Sequence, residues 1–271
     1  MQKNEATMLS APERQAEISH TTKTTGHVSV SQLATHFGVT PETIRRDLKS
    51  LESRGRLVRV HGGAVSTTAS SGVEVEYGSN ALVNMEQKRR IALAAWNRIS
   101  AETSISSLSI DAGTTTLEFA REMASASQLH GIAPLTAITN SIPVANLTAE
   151  FGLTNVHVVG GRIRPITRAI VGDHTVLEIE RLRTDFAVMG TNGLSFDHGC
   201  STPDPSEAAV KSAMIKGARN IMVLCDSTKL QKDYLVTFGT LEDINIVVTD
   251  SGIDPDHRDR LESIGIEVVV S

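Results

Sequence analysis

Between residues 41 and 53 the apolar positions recur at helical spacing. Ile44, Leu48 and Leu51 form one stripe, the face that packs inward. Roughly opposite, at ~100° per residue, lie Glu42, Arg46, Lys49 and Ser53, with Thr43 and Arg45 on the flanks. Thr40 suits the N-cap, and Pro41 suits the first helical position, where a missing N–H is no loss. Gly55 is placed to end this helix in a left-handed conformation. A shorter helix precedes it, with Ser31 as cap, Leu33, Ala34 and Phe37 as its apolar face, and Gly38 as its break. Only Gly38, Val39 and Thr40 separate the two, the connection of a helix-turn-helix. His27–Val30 and Leu57–Val60 read as short strands, and Gly62-Gly63 permits a tight reversal. Strand, helix, turn, helix and hairpin together predict a winged helix-turn-helix. Pro12–Thr25 is a poorer helix: beyond Ile18 it runs His20-Thr21-Thr22-Lys23-Thr24-Thr25, low in apolar residues and strong helix formers, so short or weakly packed structure is expected. The residues before Pro12 read as a disordered start.

Thr67–Asn84 is rich in Ser, Thr, Gly and Ala and reads as a linker. Beyond it the period changes to short apolar runs alternating with amphipathic stretches. Strands are predicted at Ser107–Asp111, Thr136–Thr139, Val156–Val159, Phe186–Met189, Asn220–Cys225, Ile246–Thr249 and Glu267–Val270. Runs of this kind mark a mostly parallel sheet buried on both faces of an α/β domain. The expected division is a DNA-binding domain at 1–66, a linker at 67–84 and an effector domain at 85–271.

Composition sharpens this picture in three places. A length of 271 residues is too much for one small module and suits two domains. Aromatics at 3% leave a core of Val, Ile, Leu and Ala. No apolar run approaches the ~20 residues of a membrane-spanning helix, and no arginine-rich or hydrophobic leader is evident, so a cytoplasmic protein is expected. Cys200 and Cys225 belong to no ligand-spaced cluster, so neither zinc nor a disulfide is expected. The net charge of −5 hides an asymmetry: residues 1–66 hold nine Lys/Arg against six acids, a net +3, which leaves −8 on the rest. A basic front end gains affinity for phosphates while an acidic body stays off the DNA.

Ligands of a parallel sheet bind beyond the carboxyl ends of its strands, so the residues that follow each predicted strand carry the chemistry. After the first comes Asp111-Ala112-Gly113-Thr114-Thr115-Thr116 and then a helix. This is either an ordinary capped turn or an anion site, where glycine allows close approach and a helix N-terminus offers N–H groups. Thr139-Asn140-Ser141 and Gly160-Gly161-Arg162 follow the next two strands. Gly190-Thr191-Asn192-Gly193 follows the fourth without the spacing of a dinucleotide fingerprint. A polar loop, Ser201–Pro205, leads into a helix capped by Ser206, on which Glu207 and Lys211 stand four apart as a surface ion pair or as ligand contacts. Asp226-Ser227-Thr228-Lys229 closes the series, with Lys229 either a solvated loop lysine or a point charge for an anion.

The ordered series T-I-R-R-D-L, L-V-R-V-H-G-G-A, D-A-G-T-T-T, T-N-S and D-S-T-K resembles the DeoR family of bacterial transcriptional regulators from about Glu13 to the C-terminus. The resemblance implies a winged helix on operator DNA. It also implies a sensor similar in fold to ribose-5-phosphate isomerase, glucosamine-6-phosphate deaminase and CoA transferases, with a sugar phosphate as inducer. The S-T-P-D-P-S-E-A-A-V-K segment is most similar to actinobacterial members that control fructose or phosphotransferase sugar uptake, pointing to fructose 1-phosphate. The expected DNA contacts are Thr40, Glu42, Thr43, Arg45, Arg46, Lys49, Arg59, His61, Gly62 and Gly63. Arg46 takes a base edge, with that of guanine as the candidate, while Arg45, Arg59 and His61 take phosphate or minor groove; for Arg45 an ion pair with Glu52 or Asp47 is the alternative. The expected ligand residues are Asp111, Gly113, Thr114, Thr115, Thr116, Thr139, Asn140, Ser141, Gly190, Asn192, Glu207, Lys211 and Lys229. A ligand-relieved repressor, acting as a homo-oligomer on paired half-sites, is the leading reading. An isomerase or deaminase with a DNA-binding head is the rival, and the chain is read as not an enzyme. No cofactor, metal or catalytic residue is assigned.

Overall fold

The computed structural model describes residues 10–25, 27–54, 56–60, 62–66, 83–102, 104–130, 135–151 and 155–271. Gly55, His61, the chain before residue 10 and residues 67–82 of the expected linker lie outside these. The chain divides into two compact units, residues 1–83 and 84–271.

The first unit opens with α1 (Ala11–Thr25), a full 15-residue helix where a short or weakly packed one is expected. Its inner face is held largely by polar groups. Ile18 is fully buried, the Thr22 hydroxyl donates to the Ile18 carbonyl at 2.6 Å, and Arg14 and Gln15 donate to the two oxygens of Asp47 at 2.6 and 2.8 Å. A helix tied to its neighbour in this way needs little apolar stripe. Strand β1 (His27–Ser29) leads into α2 (Val30–Phe37), and α3 (Pro41–Ser53) follows. Ser29 and not Ser31 caps α2, accepting from the Gln32 N–H at 3.1 Å, because β1 stops one residue early. Gly38 ends α2 at φ 63°, in the left-handed region glycine adopts freely. Thr40 caps α3 by accepting from the Thr43 N–H. Strands β2 (Leu57–Val60) and β3 (Gly63–Ser66) form the wing, and β1 adds to it in the antiparallel order β1-β3-β2. Val28, Leu33, Ile44, Leu48, Leu51 and Leu57 fill the core.

The second unit starts with α4 (Met85–Ser100) and alternates strands with helices. They are β4 (Ser107–Ile110), α5 (Thr114–His130), β5 (Thr136–Thr139), α6 (Ile142–Glu150) and β6 (Val156–Val158). A hairpin of β7 (Arg162–Arg164) and β8 (Ala169–Val171) precedes α7 (Asp173–Ile179) and β9 (Thr184–Gly190). Then come β10 (Gly193–Ser195), β11 (Gly199–Thr202), α8 (Pro205–Gly217), β12 (Ala218–Leu224), β13 (Val236–Gly239), β14 (Ile246–Thr249), α9 (Pro255–Ser263) and β15 (Glu267–Val270).

The seven predicted strands make one sheet in the order β15-β14-β12-β9-β4-β5-β6, with every pairing parallel. Along β12 and the residue after it, Ile221, Val223 and Cys225 enter one core cluster and Met222 and Leu224 the other, so both faces are buried and no polar alternation appears. Helices α4, α5 and α6 cover one face through residues such as Trp96, Phe119 and Leu147, and α7, α8 and α9 cover the other through Ile179, Met214 and Leu261. The small antiparallel sheet β10-β11-β13 and the β7–β8 hairpin are not among the predicted strands. Chain order runs outward from β4 through β5 to β6, and the other way from β9 through β12 and β14 to β15. The direction therefore reverses between β4 and β9, where an open parallel sheet splays its carboxyl-end loops to leave a crevice.

Candidate functional site

The outer side of α3 presents Glu42, Arg45, Arg46 and Lys49 to solvent. Arg45 pairs with Glu42 at 3.2 Å and with neither Glu52 nor Asp47. Asp47 points inward and takes Arg14, while Glu52 accepts the Arg59 backbone N–H at 3.1 Å and pairs with its guanidinium at 3.7 Å. One wing arginine is thus tied to the end of α3. Among the described residues Arg46 and Lys49 make no side-chain ion pair, which leaves both cations available to an outside anion. The Thr43 hydroxyl meets that of Thr40 at 2.9 Å. At the wing, Gly62 has φ 82° and its carbonyl accepts from the Val30 N–H, and Gly63 is paired to Ser29 and Val60 within the sheet.

In the second unit the carboxyl ends of β4 and β9 meet at Asp111. Its side chain is fully buried; Oδ2 accepts from Lys211 and, at 3.1 Å, from the Gly190 N–H. Lys211 also donates to the Gly190 carbonyl at 3.0 Å. Burial pushes the Asp111 carboxyl up, and the adjacent ammonium works in the opposite direction. Asp111 Oδ1 is buried with no hydrogen-bond partner among the described residues. The expected surface pair of Glu207 and Lys211 does not form. Both are buried, at 6% and 4% exposure, and they turn to different partners. Glu207 accepts from Thr167 and from Arg164 at 3.2 Å, and Arg164 also reaches Asp204 at 3.1 Å. Asp204, not Ser206, caps α8 by accepting from the Glu207 N–H at 2.9 Å; the N-cap precedes Pro205, which occupies the first helical turn.

The threonines open α5. Thr116 is fully buried and its hydroxyl closes the loop on the Asp111 carbonyl at 2.7 Å; Thr114 and Thr115 are nearly buried beside it. The Thr139-Asn140-Ser141 step ties neighbouring strand ends together. Thr139 donates to the Ile110 carbonyl at 2.7 Å, Asn140 accepts from the Ala112 N–H at 2.9 Å, and Ser141 caps α6. Gly161 has a packing reason: at φ 150°, a Cβ there meets Thr175 Oγ1 at 2.0 Å. Across the crevice the half-buried Lys229 donates to the Thr191 carbonyl at 2.8 Å, and Asn192 is half-buried beside it in sequence. Burial pushes the Cys200 thiol up to about 12 and raises Cys225 as well, so neither is a nucleophile near neutral pH.

One residue at this edge was not among those expected. Lys88, in the first turn of α4, is only 2% exposed. Burial foremost, then the charge of Lys229, brings its ammonium down to about 7, against the pull of Asp226 and Glu118. Its local sequence, Gln87-Lys88-Arg89-Arg90, looks like a solvated turn. The signal was the spacing, since Lys88 precedes Ile91 and Ala92 by three and four residues on the buried face.

Residues 14–70 match the DeoR-like helix-turn-helix domain, and residues 83–251 match the DeoR C terminal sensor domain. The chain belongs to the DeoR family. It is 38% identical over 242 residues to the HTH-type transcriptional regulator GlpR of Haloferax volcanii, covering 89% of this chain and 90% of that one. It is 31% identical over 239 residues to the glycerol-3-phosphate regulon repressor of Escherichia coli, covering 88% and 90%. It is 30% identical over 259 residues to the lactose phosphotransferase system repressor of Staphylococcus epidermidis, covering 95% and 98%. These DeoR-family relatives do not single out an actinobacterial fructose or phosphotransferase type. Ribose 5-phosphate isomerase A of Methanocaldococcus jannaschii overlaps 54% of the chain and 55% of its own at a TM-score of 0.41 and 14% identity, too slight to carry an argument; the CoA transferase likeness gains nothing from it.

The chain is therefore a DNA-binding transcription regulator of the DeoR family. The expectation that it is not an enzyme needs correction: the two family matches assign a regulator, and they do not establish that catalytic activity is lacking. Among the described residues no helix is long and apolar enough to cross a membrane.

Proposed function

We propose that this DeoR-family regulator represses sugar-uptake or sugar-catabolism genes in the cytoplasm and releases its operator when a phosphorylated sugar occupies the β4/β9 crevice. Fructose 1-phosphate is the first candidate. The observation that carries the reading is the convergence, at the point where strand order reverses, of a helix N-terminus, Lys229 and the buried Asp111 Oδ1. In this reading Gly113, Thr114 and Thr115 receive the phosphate, Lys229 neutralises it, and Asp111 Oδ1 and Asn192 take sugar hydroxyls. Thr116, Thr139, Asn140, Ser141, Gly190, Glu207 and Lys211 frame the crevice, since their polar groups are engaged within the protein. On the DNA side, Arg46 reads a base edge, and Thr40, Glu42, Thr43, Arg45, Lys49, Arg59, His61, Gly62 and Gly63 position the helix and wing on the backbone. Residues 1–66 are the reading head, 67–84 the linker and 85–271 the sensor of a symmetric homo-oligomer. Binding shifts two arrangements by its different affinity for each.

A thermal-shift screen of sugar phosphates against their unphosphorylated parents tests this, with hits retested for release of DNA. The expected outcome is stabilisation by a phosphorylated sugar only, with DNA binding weakened. Lys229→Ala is expected to keep DNA binding and lose most of the response; an undiminished response in that variant removes Lys229 from the site.

A further inference from the structure

The β7–β8 hairpin joins the two banks of the β4/β9 crevice. On one bank β8 lies along the step after β5. The Ile170 N–H donates to the Asn140 carbonyl at 2.7 Å, and the Ile142 N–H to the Arg168 carbonyl at 3.3 Å. Asn140 in turn accepts from the Ala112 N–H, in the loop that follows β4. On the other bank the hairpin turn meets the first turn of α8. Arg164 Nε reaches Asp204 at 3.1 Å, its Nη1 reaches Glu207 at 3.2 Å, and the Thr167 hydroxyl donates to the same Glu207 carboxylate. One turn further along α8, Lys211 donates to Asp111 and to the Gly190 carbonyl at the end of β9. The hairpin thus ties the β4 side of the crevice to the β9 side.

Its two strands are held in different ways. Ala169, Ile170 and Val171 of β8 are all buried, and Ala169 and Val171 belong to an apolar core of the sensor unit. Among residues 162–168, Arg162, Ile163, Pro165, Ile166 and Arg168 are exposed, and Arg164 and Thr167 are half-buried. The half-buried side chains of this segment are therefore polar, and both converge on Glu207. Polar contacts are exchanged for contacts with water when they break, so their net hold is modest. A two-stranded ribbon this short has little stability of its own. A segment held in this way opens at low cost while the rest of the unit stays folded.

We propose that residues 162–168 are a clasp over the effector crevice, latched by Arg164 and Thr167 on Glu207, whose opening admits and releases the effector. The inference rests on the reading of a phosphorylated effector in that crevice given above. It assigns Arg164 and Thr167 to the rate of exchange and not to contact with the ligand. Weakening the latch raises the population of the open form, and entry and exit both pass through that form. Association and dissociation therefore quicken together, and affinity stays nearly constant. A residue that touches the ligand behaves otherwise, because its loss acts mainly on dissociation.

Binding kinetics on the immobilised full chain test this, with fructose 1-phosphate and inorganic phosphate as probes and Arg164→Met and Thr167→Val as variants. Arg164→Met is expected to raise both rates about tenfold, the population change that follows loss of one charge-assisted bond, with the dissociation constant altered by less than about threefold. Thr167→Val removes only the hydroxyl that Glu207 accepts. It is expected to move both rates the same way by a smaller factor, and it decides the matter if Arg164→Met does not fold. Hydrogen–deuterium exchange of the ligand-free chain is expected to quicken across residues 162–168 in both variants, with residues 169–171 unchanged. Rates equal to wild type in both variants overturn the proposal, and so does a rise in dissociation alone, which marks a ligand contact. A lower melting temperature with unchanged rates marks a purely structural tie and overturns it equally. If fructose 1-phosphate binds the variants at wild-type rates, the phosphorylated-effector reading stands and only the clasp falls; if neither probe binds the wild type, both fall.

Discussion

Arg14 and Asp47 form a buried ion pair at 2.6 Å with side chains only 9% and 5% exposed, and its energetics are lopsided. Removing both charges together often changes stability little, whereas removing one deprives the other of its buried counter-charge. Asp47→Ala is therefore expected to destabilise the N-terminal unit by about 3–5 kcal/mol, read by urea unfolding of the full chain; a loss under about 1 kcal/mol means the pair behaves as a surface bridge. The sequence offered no route to this contact. Its partners are 33 residues apart, and helical spacing rules reach only three or four. The same rules misled at Glu207 and Lys211, which sit at ideal spacing for each other yet are drawn to Arg164 and Asp111 by the groups they meet on burial. Thr40 and Gly38 were legible because caps are local, with the deciding atoms within a few residues.

At the scale of elements, legibility followed burial. The five inner strands of the large sheet could be read because a strand covered on both faces is a largely apolar run, and the partly exposed edge strands β6 and β15 could be read from their valines. The β10, β11 and β13 sheet was missed because its segments are short and mix Gly, Ser and Thr with few apolar residues. Helix α1 was undervalued because hydrogen bonds from Arg14 and Gln15 to Asp47 dock it alongside the apolar contact of Ile18. One junction between elements has a pH signature. Asp185, in β9, accepts from the backbone N–H and hydroxyl of both Ser106 and Ser107 at 2.9–3.0 Å, fastening the start of β4. Burial alone works to raise its carboxyl, but these four hydrogen bonds outweigh it and hold the group below the usual range. A depressed carboxylate contributes stability above its unfolded pKa, about 3.9, and loses it as pH falls through the folded value. The urea midpoint of the sensor unit is thus expected to drop on acidification below about pH 4, and to drop less steeply in Asp185→Asn. Identical acid slopes in the two proteins contradict the fastening role.

Across the whole molecule the charge is divided, with +3 on residues 1–66 against −8 on the remainder, and operator binding is expected to weaken steeply with salt. Arg46 and Lys49 of α3 separate under that test. Lys49→Ala is expected to weaken binding evenly across sequences and to reduce the salt slope by about 1. Arg46→Ala is expected to cost about 1–3 kcal/mol and to relax preference at one base position. A uniform loss from Arg46→Ala in competition binding on operator variants reassigns it to the backbone. These distinctions bear on how a loss-of-repression screen of this regulator should be read. Asp47 adjoins Arg46 in the chain but faces the interior, where it fastens α3 to α1. Substitutions there are expected to be recovered alongside operator-contact alleles and to share their phenotype, although the Asp47 side chain is buried against α1. Growth temperature is expected to sort them: an Asp47 allele should lose repression progressively as the cells are warmed, and an Arg46 allele should be defective at every temperature.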